Sequence, residues 1–217
     1  MILIGMFDSP FVRRVAVSMH LLGIPFEHRN WSVGKDFELI RHFNPLGRVP
    51  TLVQPDGEAL FESNAILDCL DEYAGPERAL CPSSGKERRA ALRIMAVATG
   101  AAEKGVTQIY ETAFRPPEKR HRPWVDRCHT QMHAGLLELD RLSQARAGEW
   151  LIGNRMTQPD ITATCVYTFL VEALAIEGAA VTYPGLAAMA ARCEALPEFR
   201  SVKADWFPPG EGTTIAP

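Results

Sequence analysis

Beyond Ala74-Gly75-Pro76 the chain changes texture, and that change restricts the folds open to it. From Lys86 onward no segment shows the two-residue alternation of a strand. Ala- and Leu-rich stretches with helical spacing cover 86–114, 124–146, 159–176, 184–196 and 198–205, punctuated by Pro116-Pro117 and Pro184-Gly185. The part before Gly75 instead mixes short strands with helices. Residues 2–7 read as a buried strand and 26–33 as a weaker one. Residues 10–22 read as a helix with apolar positions at Phe11, Val12, Val15, Val17, Met19 and Leu22, stopping at Gly23. The segments 51–53 and 59–61 flank Pro55-Asp56-Gly57, a turn suited to antiparallel strands. Ser63 then opens a helix through Tyr73, with Ile66, Leu67, Leu70 and Tyr73 on one face. The order βαβ, short helix, ββα, then helices alone predicts a small α/β unit followed by an all-α unit. Their expected bounds are 1–76 and 86–207, with a linker at 77–85 and an irregular tail at 208–217.

A length of 217 residues with 47% hydrophobic content supports one large or two small globular cores. A formal charge of −3 argues against a nucleic-acid partner, and the one basic cluster, Glu118 to Arg122, reads as a short solvated loop. No apolar run reaches membrane-spanning length, and the N-terminus has no export signature, so no membrane partner and a cytoplasmic location are expected. The five cysteines are odd in number and scattered. None forms a C-x-x-C pair and no histidine sits at ligand spacing from one, so neither a disulfide framework nor a metal site is expected.

Three stretches carry candidate chemistry. In "MFDSPFVRRV" (6–15), Ser9 and Pro10 suit the N-cap and first turn of a helix. The same N-terminus, with the Ser9 hydroxyl as a donor, also suits a sulfur anion. In "NPLGRVPTL" (44–52), Pro50 stands at the mouth of a strand. A cis Val49–Pro50 bond would turn the Val49 backbone groups outward, free to pair with an extended peptide. In "FESNAIL" (61–67), Ser63 serves either as a cap or as a carboxylate donor, with Glu62 complementing the helix dipole or binding an ammonium. An ammonium and a carboxylate on one carbon describe an amino acid or a γ-glutamyl group.

Taken in order, these three stretches resemble those of the soluble glutathione S-transferases, closest to serine-type members such as the plant tau class and small bacterial enzymes. The resemblance spans nearly the whole chain and implies a thioredoxin-like N-terminal domain (βαβαββα) ahead of an all-helical C-terminal one. It implies glutathione as co-substrate, no metal, a homodimer, and detoxifying transfer to a small hydrophobic electrophile. By position, Ser9 is similar to the residue that hydrogen-bonds the glutathione sulfur. Phe11, Val49 and Pro50 fall among the glutathione-binding positions, with the Val49 backbone facing the cysteinyl unit. Glu62 and Ser63 match the γ-glutamyl clamp, and Arg48 lies within reach of the glycyl carboxylate. Tyr110, Phe114, Trp124, Trp206 and Phe207 are candidates for an electrophile pocket, with ordinary core packing as the alternative for each. In "RMTQPDITA" (155–163), Thr157 and Asp160 have capping-box spacing and Met156 and Ile161 the spacing of a hydrophobic staple, which makes Asp160 a folding residue.

The chemistry requires a thiolate at neutral pH, although a free thiol titrates near 8.5. A charge-assisted hydrogen bond of about 1.5–3 kcal/mol plus a helix dipole of about 0.3–1 kcal/mol lowers that value to about 6.5–7.5, at 1.36 kcal/mol per unit. Relatives that catalyse thiol transfer carry a cysteine where Ser9 stands. The isomerases of the zeta class carry a serine-serine-cysteine run where this chain has Asp8-Ser9-Pro10-Phe11. A non-catalytic, regulatory relative of the same fold is the remaining alternative.

Overall fold

The structure, a computed structural model, describes residues 1–208; of the expected tail at 208–217, all but Pro208 lies outside the described residues. Four three-residue strands, β1 (Ile2–Ile4), β2 (Glu27–Arg29), β3 (Thr51–Val53) and β4 (Ala59–Phe61), form one sheet in the order β2-β1-β3-β4. β1 runs parallel to β2 and antiparallel to β3, and β3 is antiparallel to β4. Three helices belong to this half: α1 (Pro10–Leu22), α2 (Phe37–Arg41) and α3 (Ser63–Ala74). The result is a thioredoxin-like domain.

Both faces of the sheet are covered, and the alternation along β1 and β3 shows how. Leu3 and its register partner Leu52 join the large core with α1 and α3, whereas Ile4 and Val53 pack with Ile40 of α2 on the opposite face. The expected strand at 2–7 ends at Ile4 because Gly5 turns the chain with φ 133°. A Cβ on Gly5 would meet Val12 Cγ2 at 2.5 Å and Val49 Cβ at 2.8 Å, so only glycine lets the loop after β1 pass this close to α1 and Val49. The weaker strand expected at 26–33 is likewise cut to three residues.

The second half is helical, as expected: α4 (Gly85–Phe114), α5 (Arg122–Ala145), α6 (Gln158–Ala173), α7 (Ala179–Thr182), α8 (Pro184–Glu194) and α9 (Pro197–Arg200). The helix expected at 198–205 shrinks to four residues, and α7 is one the periodicity does not reveal. α6 is buried nearly all round, which explains its lack of a polar face; it packs against α1, α4 and α8. Between α3 and α4 the chain is pinned from both sides. Asp71 accepts the Leu80 and Cys81 N–H groups at 2.7 and 2.9 Å, and Gln158 N–H donates to Leu80 C=O at 2.9 Å.

Two buried charges tie these elements together. Arg13 on α1 makes a bidentate pair with Glu194 at 2.6 Å and also donates to the carbonyls of Phe199 and Val202. Thr168 donates to the same carboxylate at 2.7 Å. Burial raises the Glu194 carboxyl, but the Arg13 and Thr168 bonds outweigh it and leave the group below its ordinary value of 4.5. Asp160 is fully buried at the start of α6, where it closes the capping box with Thr157. Its carboxylate accepts from Thr157 N and Oγ1, both at 2.9 Å, and from Leu151 N at 2.8 Å.

Asp160→Ala therefore removes a cap and also strands the buried Thr157 donors and the half-buried Leu151 N–H. The expected loss is about 2–4 kcal/mol, above the ~1 kcal/mol of an ordinary cap, read from denaturant midpoints at matched protein concentration. For Glu194, whose carboxyl is depressed in the folded state, the stabilisation is fully present above the unfolded value and is lost as pH falls through the folded one. Unfolding followed from pH 7 downward should show Glu194→Gln less stable than the parent at neutrality, the gap narrowing below pH 4.5. A gap independent of pH would show that the ion pair contributes nothing beyond packing.

Candidate active site

The strand register brings the three motif stretches to one edge of the sheet. Ile4 at the end of β1 pairs with Thr51 at the start of β3, and Thr51 pairs with Phe61 at the end of β4. The loop after β1 carries Ser9, the entry to β3 carries Val49 and Pro50, and the exit from β4 carries Glu62 and Ser63. All leave the sheet side by side.

Ser9 is the N-cap of α1 in extended conformation, with φ −72° and ψ 124°. Its hydroxyl oxygen accepts from Val12 N–H at 3.5 Å, far longer than a good capping bond. One lone pair is thus only weakly held, and no acceptor takes the hydroxyl proton among the described residues. The loop presenting it is stiff: Phe7 stacks on His28 with ring centroids 3.8 Å apart, and His28 Nε2 lies 2.7 Å from the Gly5 carbonyl.

The Val49–Pro50 bond is cis. Neither backbone polar group of Val49 has a hydrogen-bond partner among the described residues. Asn44 fixes this loop by donating to the Arg48 carbonyl at 2.9 Å and to Thr51 Oγ1 at 3.2 Å while accepting from Leu46 N–H at 3.0 Å. Arg48 itself is exposed.

At α3 the structure corrects the reading of Ser63 as a cap. The N-cap is Glu62, whose carboxylate accepts from the Asn64 N–H at 3.1 Å. Glu62 sits at φ 73°, a left-handed backbone position unusual for a residue with a side chain and of the kind that concentrates at functional sites. Ser63 is the first helical residue and is buried; its oxygen accepts from the Arg14 guanidinium at 2.7 Å and caps nothing.

The aromatic candidates divide. Tyr110 and Phe114 form an edge-to-face pair on α4 with centroids 5.0 Å apart. Burial raises the Tyr110 phenol, opposed by the Arg48 charge and reinforced by that of Asp8. Trp206 packs edge-to-face on Phe169, and Phe11 packs partly buried on the large core. Trp124 is held over Lys104, with the ammonium 5.4 Å from the ring centroid, on another face of α4 from Tyr110. Phe207 is exposed and, with Phe7, Asp8, Asn30, Lys35 and Asp205, lines an open cleft of about 340 Å³ beside Ser9.

Sequence reasoning missed Asp8, Asn44 and Arg14. Burial raises the Asp8 carboxyl although the Phe207 and Ser9 N–H groups partly offset it, so an acid group stands next to Ser9 where the terminal segment crosses. The available signal for Arg14 was two adjacent arginines inside an otherwise apolar helix.

Comparison with known proteins agrees with this geometry. Residues 3–78 match the family model "Glutathione S-transferase, N-terminal domain". A solved glutathione S-transferase from Methylobacterium radiotolerans, in complex with glutathione sulfonate, superposes over 95% of both chains with a TM-score of 0.89 at 29% identity. Residues 3–78 thus carry a glutathione S-transferase N-terminal domain. An uncharacterized GST-like protein of Escherichia coli, YibF, is 34% identical over 51% of this chain and 54% of its own length. Glutathione S-transferase U1 of Arabidopsis thaliana is 38% identical over 32% of this chain and 31% of its own. The matched region thus spans about half of the first curated relative and about a third of the plant one.

Proposed function

We propose that the protein is a glutathione transferase, holding glutathione along the sheet edge and presenting its sulfur as a thiolate to a small hydrophobic electrophile. The observation that carries this reading is the Ser9 hydroxyl at the N-terminus of α1, with no acceptor for its proton among the described residues and its capping bond stretched to 3.5 Å. A hydroxyl there donates to a sulfur anion, and the helix dipole acts in the same direction. The open Val49 backbone groups suit the cysteinyl unit, and Ser63 with Glu62 suits the carboxylate and ammonium of the γ-glutamyl group. The solved structure that superposes over 95% of both chains carries glutathione sulfonate, a glutathione derivative with a negatively charged group at the sulfur position, and supports glutathione as the ligand. Arg48, on the exposed loop, is assigned to the glycyl carboxylate.

In the reaction the thiolate sulfur forms a bond to the electrophilic carbon, and the electron pair of the bond that breaks departs with the leaving group. Ser9 acts as a donor throughout and never as a nucleophile, so it needs no histidine partner. Phe7 and Phe207 provide the apolar side of the cleft, and Tyr110, Phe114 and Trp206 are assigned to the electrophile. Dimer formation through α3, α4 and α5 is supported by the exposed Tyr73, Leu92 and Leu137, and a cytoplasmic location by five free cysteines.

Retention on immobilised glutathione combined with conjugation of an activated chloronitroarene tests the reading; retention without turnover would make this a binding protein of the same fold. Ser9→Ala should raise the pKa of the bound thiol by about one to two units, the value of one charge-assisted hydrogen bond, and slow conjugation at pH 7 by about tenfold or more. Thiolate absorbance of bound glutathione against pH measures this directly. Superimposable titrations would transfer the role to the backbone N–H groups of α1. Glu62→Ala should raise the glutathione KM with little change in kcat, because the ammonium is remote from the sulfur and is bound equally in ground and transition states. An unchanged KM would remove Glu62 from the site.

A further inference from the structure

Arg14 shares α1 with Ser9 and is completely buried. Its guanidinium donates to Ser63 Oγ at 2.7 Å, Asn64 Oδ1 at 2.7 Å and Thr162 Oγ1 at 3.3 Å, joining α1, α3 and α6. All three acceptors are neutral, and Nε has no partner among the described residues. No carboxylate bonds the group among the described residues; burial pulls its pKa down to about 10, and the Glu62 charge offsets only part of that. A buried cation without a bonded counter-charge is costly, and here it lies directly behind the start of α3.

The direction of the hydrogen bonds gives that position a consequence. Arginine only donates, so Ser63 must accept from it and point its single proton elsewhere. The proton's acceptor within the protein is Glu62 Oε1 at 3.4 Å, a long contact. Asn64 is likewise forced to turn its carbonyl oxygen to Arg14, which leaves its Nδ2 facing outward, 3.1 Å from Glu62 Oε1. One buried cation thus sets the polarity of two side chains at the N-terminus of α3.

We propose that Arg14 is a positioning residue for the ligand's α-carboxylate: it makes the Ser63 hydroxyl a donor toward the γ-glutamyl group, whose carboxylate supplies the counter-charge that Arg14 lacks. This inference rests on glutathione being the ligand. The measurement is binding, by calorimetry, of glutathione and of 4-aminobutyryl-cysteinyl-glycine, the same tripeptide without the α-carboxylate, to the full-length protein and to Arg14→Gln. Arg14→Gln should weaken glutathione by about tenfold to a hundredfold, the range for a hydrogen bond to a charged group. The decarboxylated tripeptide should weaken by less than about threefold, because it offers Arg14 no counter-charge. If Arg14→Gln does not fold, Arg14→Lys, which keeps the cation but loses the planar fork, decides by the same ratio. Equal losses for the two tripeptides would reduce Arg14 to a packing role and overturn the inference while leaving the glutathione reading intact. Parent protein that binds neither tripeptide would overturn the glutathione reading itself.

Discussion

A helix that buries two guanidinium groups must find their acceptors beyond itself, and this requirement organises the molecule. α1 packs its apolar residues on the sheet, yet Arg13 and Arg14 project toward the helical half. Arg13 is satisfied by Glu194 and two carbonyls near α9. Arg14 donates to the start of α3 and to Thr162 of α6, with its Nε unpaired among the described residues. Because buried charges tolerate little misplacement, these bonds fix how the two halves meet.

The sheet edge adds a second layer of order. Three loops leave adjacent strand ends, and each is fixed by a separate device: the Phe7–His28 stack, the Asn44 amide and the Glu62 backbone. None of these devices depends on a ligand. The polar groups are therefore in place before any ligand arrives, and little ordering remains to be done on binding. The aromatic side of the cleft is less tightly held, since Phe207 is exposed.

How much of this was legible in the sequence depends on the range of the forces involved. Ser9-Pro10, Val49-Pro50 and the Thr157/Asp160 spacing are local patterns, and the structure places each at the helix start or loop where local stereochemistry puts it. Ser63 was half legible: its place at the helix start was visible, but its partner, Arg14, is 49 residues away. Strand lengths were overestimated because the sequence between 2 and 7 is apolar throughout, while Gly5 is constrained by Val12 and Val49, contacts only the folded chain makes. The arginines were hidden for the opposite reason. A charge in a helix is ordinarily a sign of the solvent face, and nothing near residues 13 and 14 announces acceptors at 162, 194, 199 and 202.

The reach of Arg13 also bears on how the protein is made. Its partners lie 181 to 189 residues further along the chain, so a ribosome completes α1 long before it delivers the groups that receive its charge. Until they emerge that guanidinium stays hydrated and α1 cannot settle into its final seat. A helix made early is thus among the later ones to lock. A truncation just before Glu194 would cut 181 residues away from Arg13 yet unseat the helix that Ser9 caps.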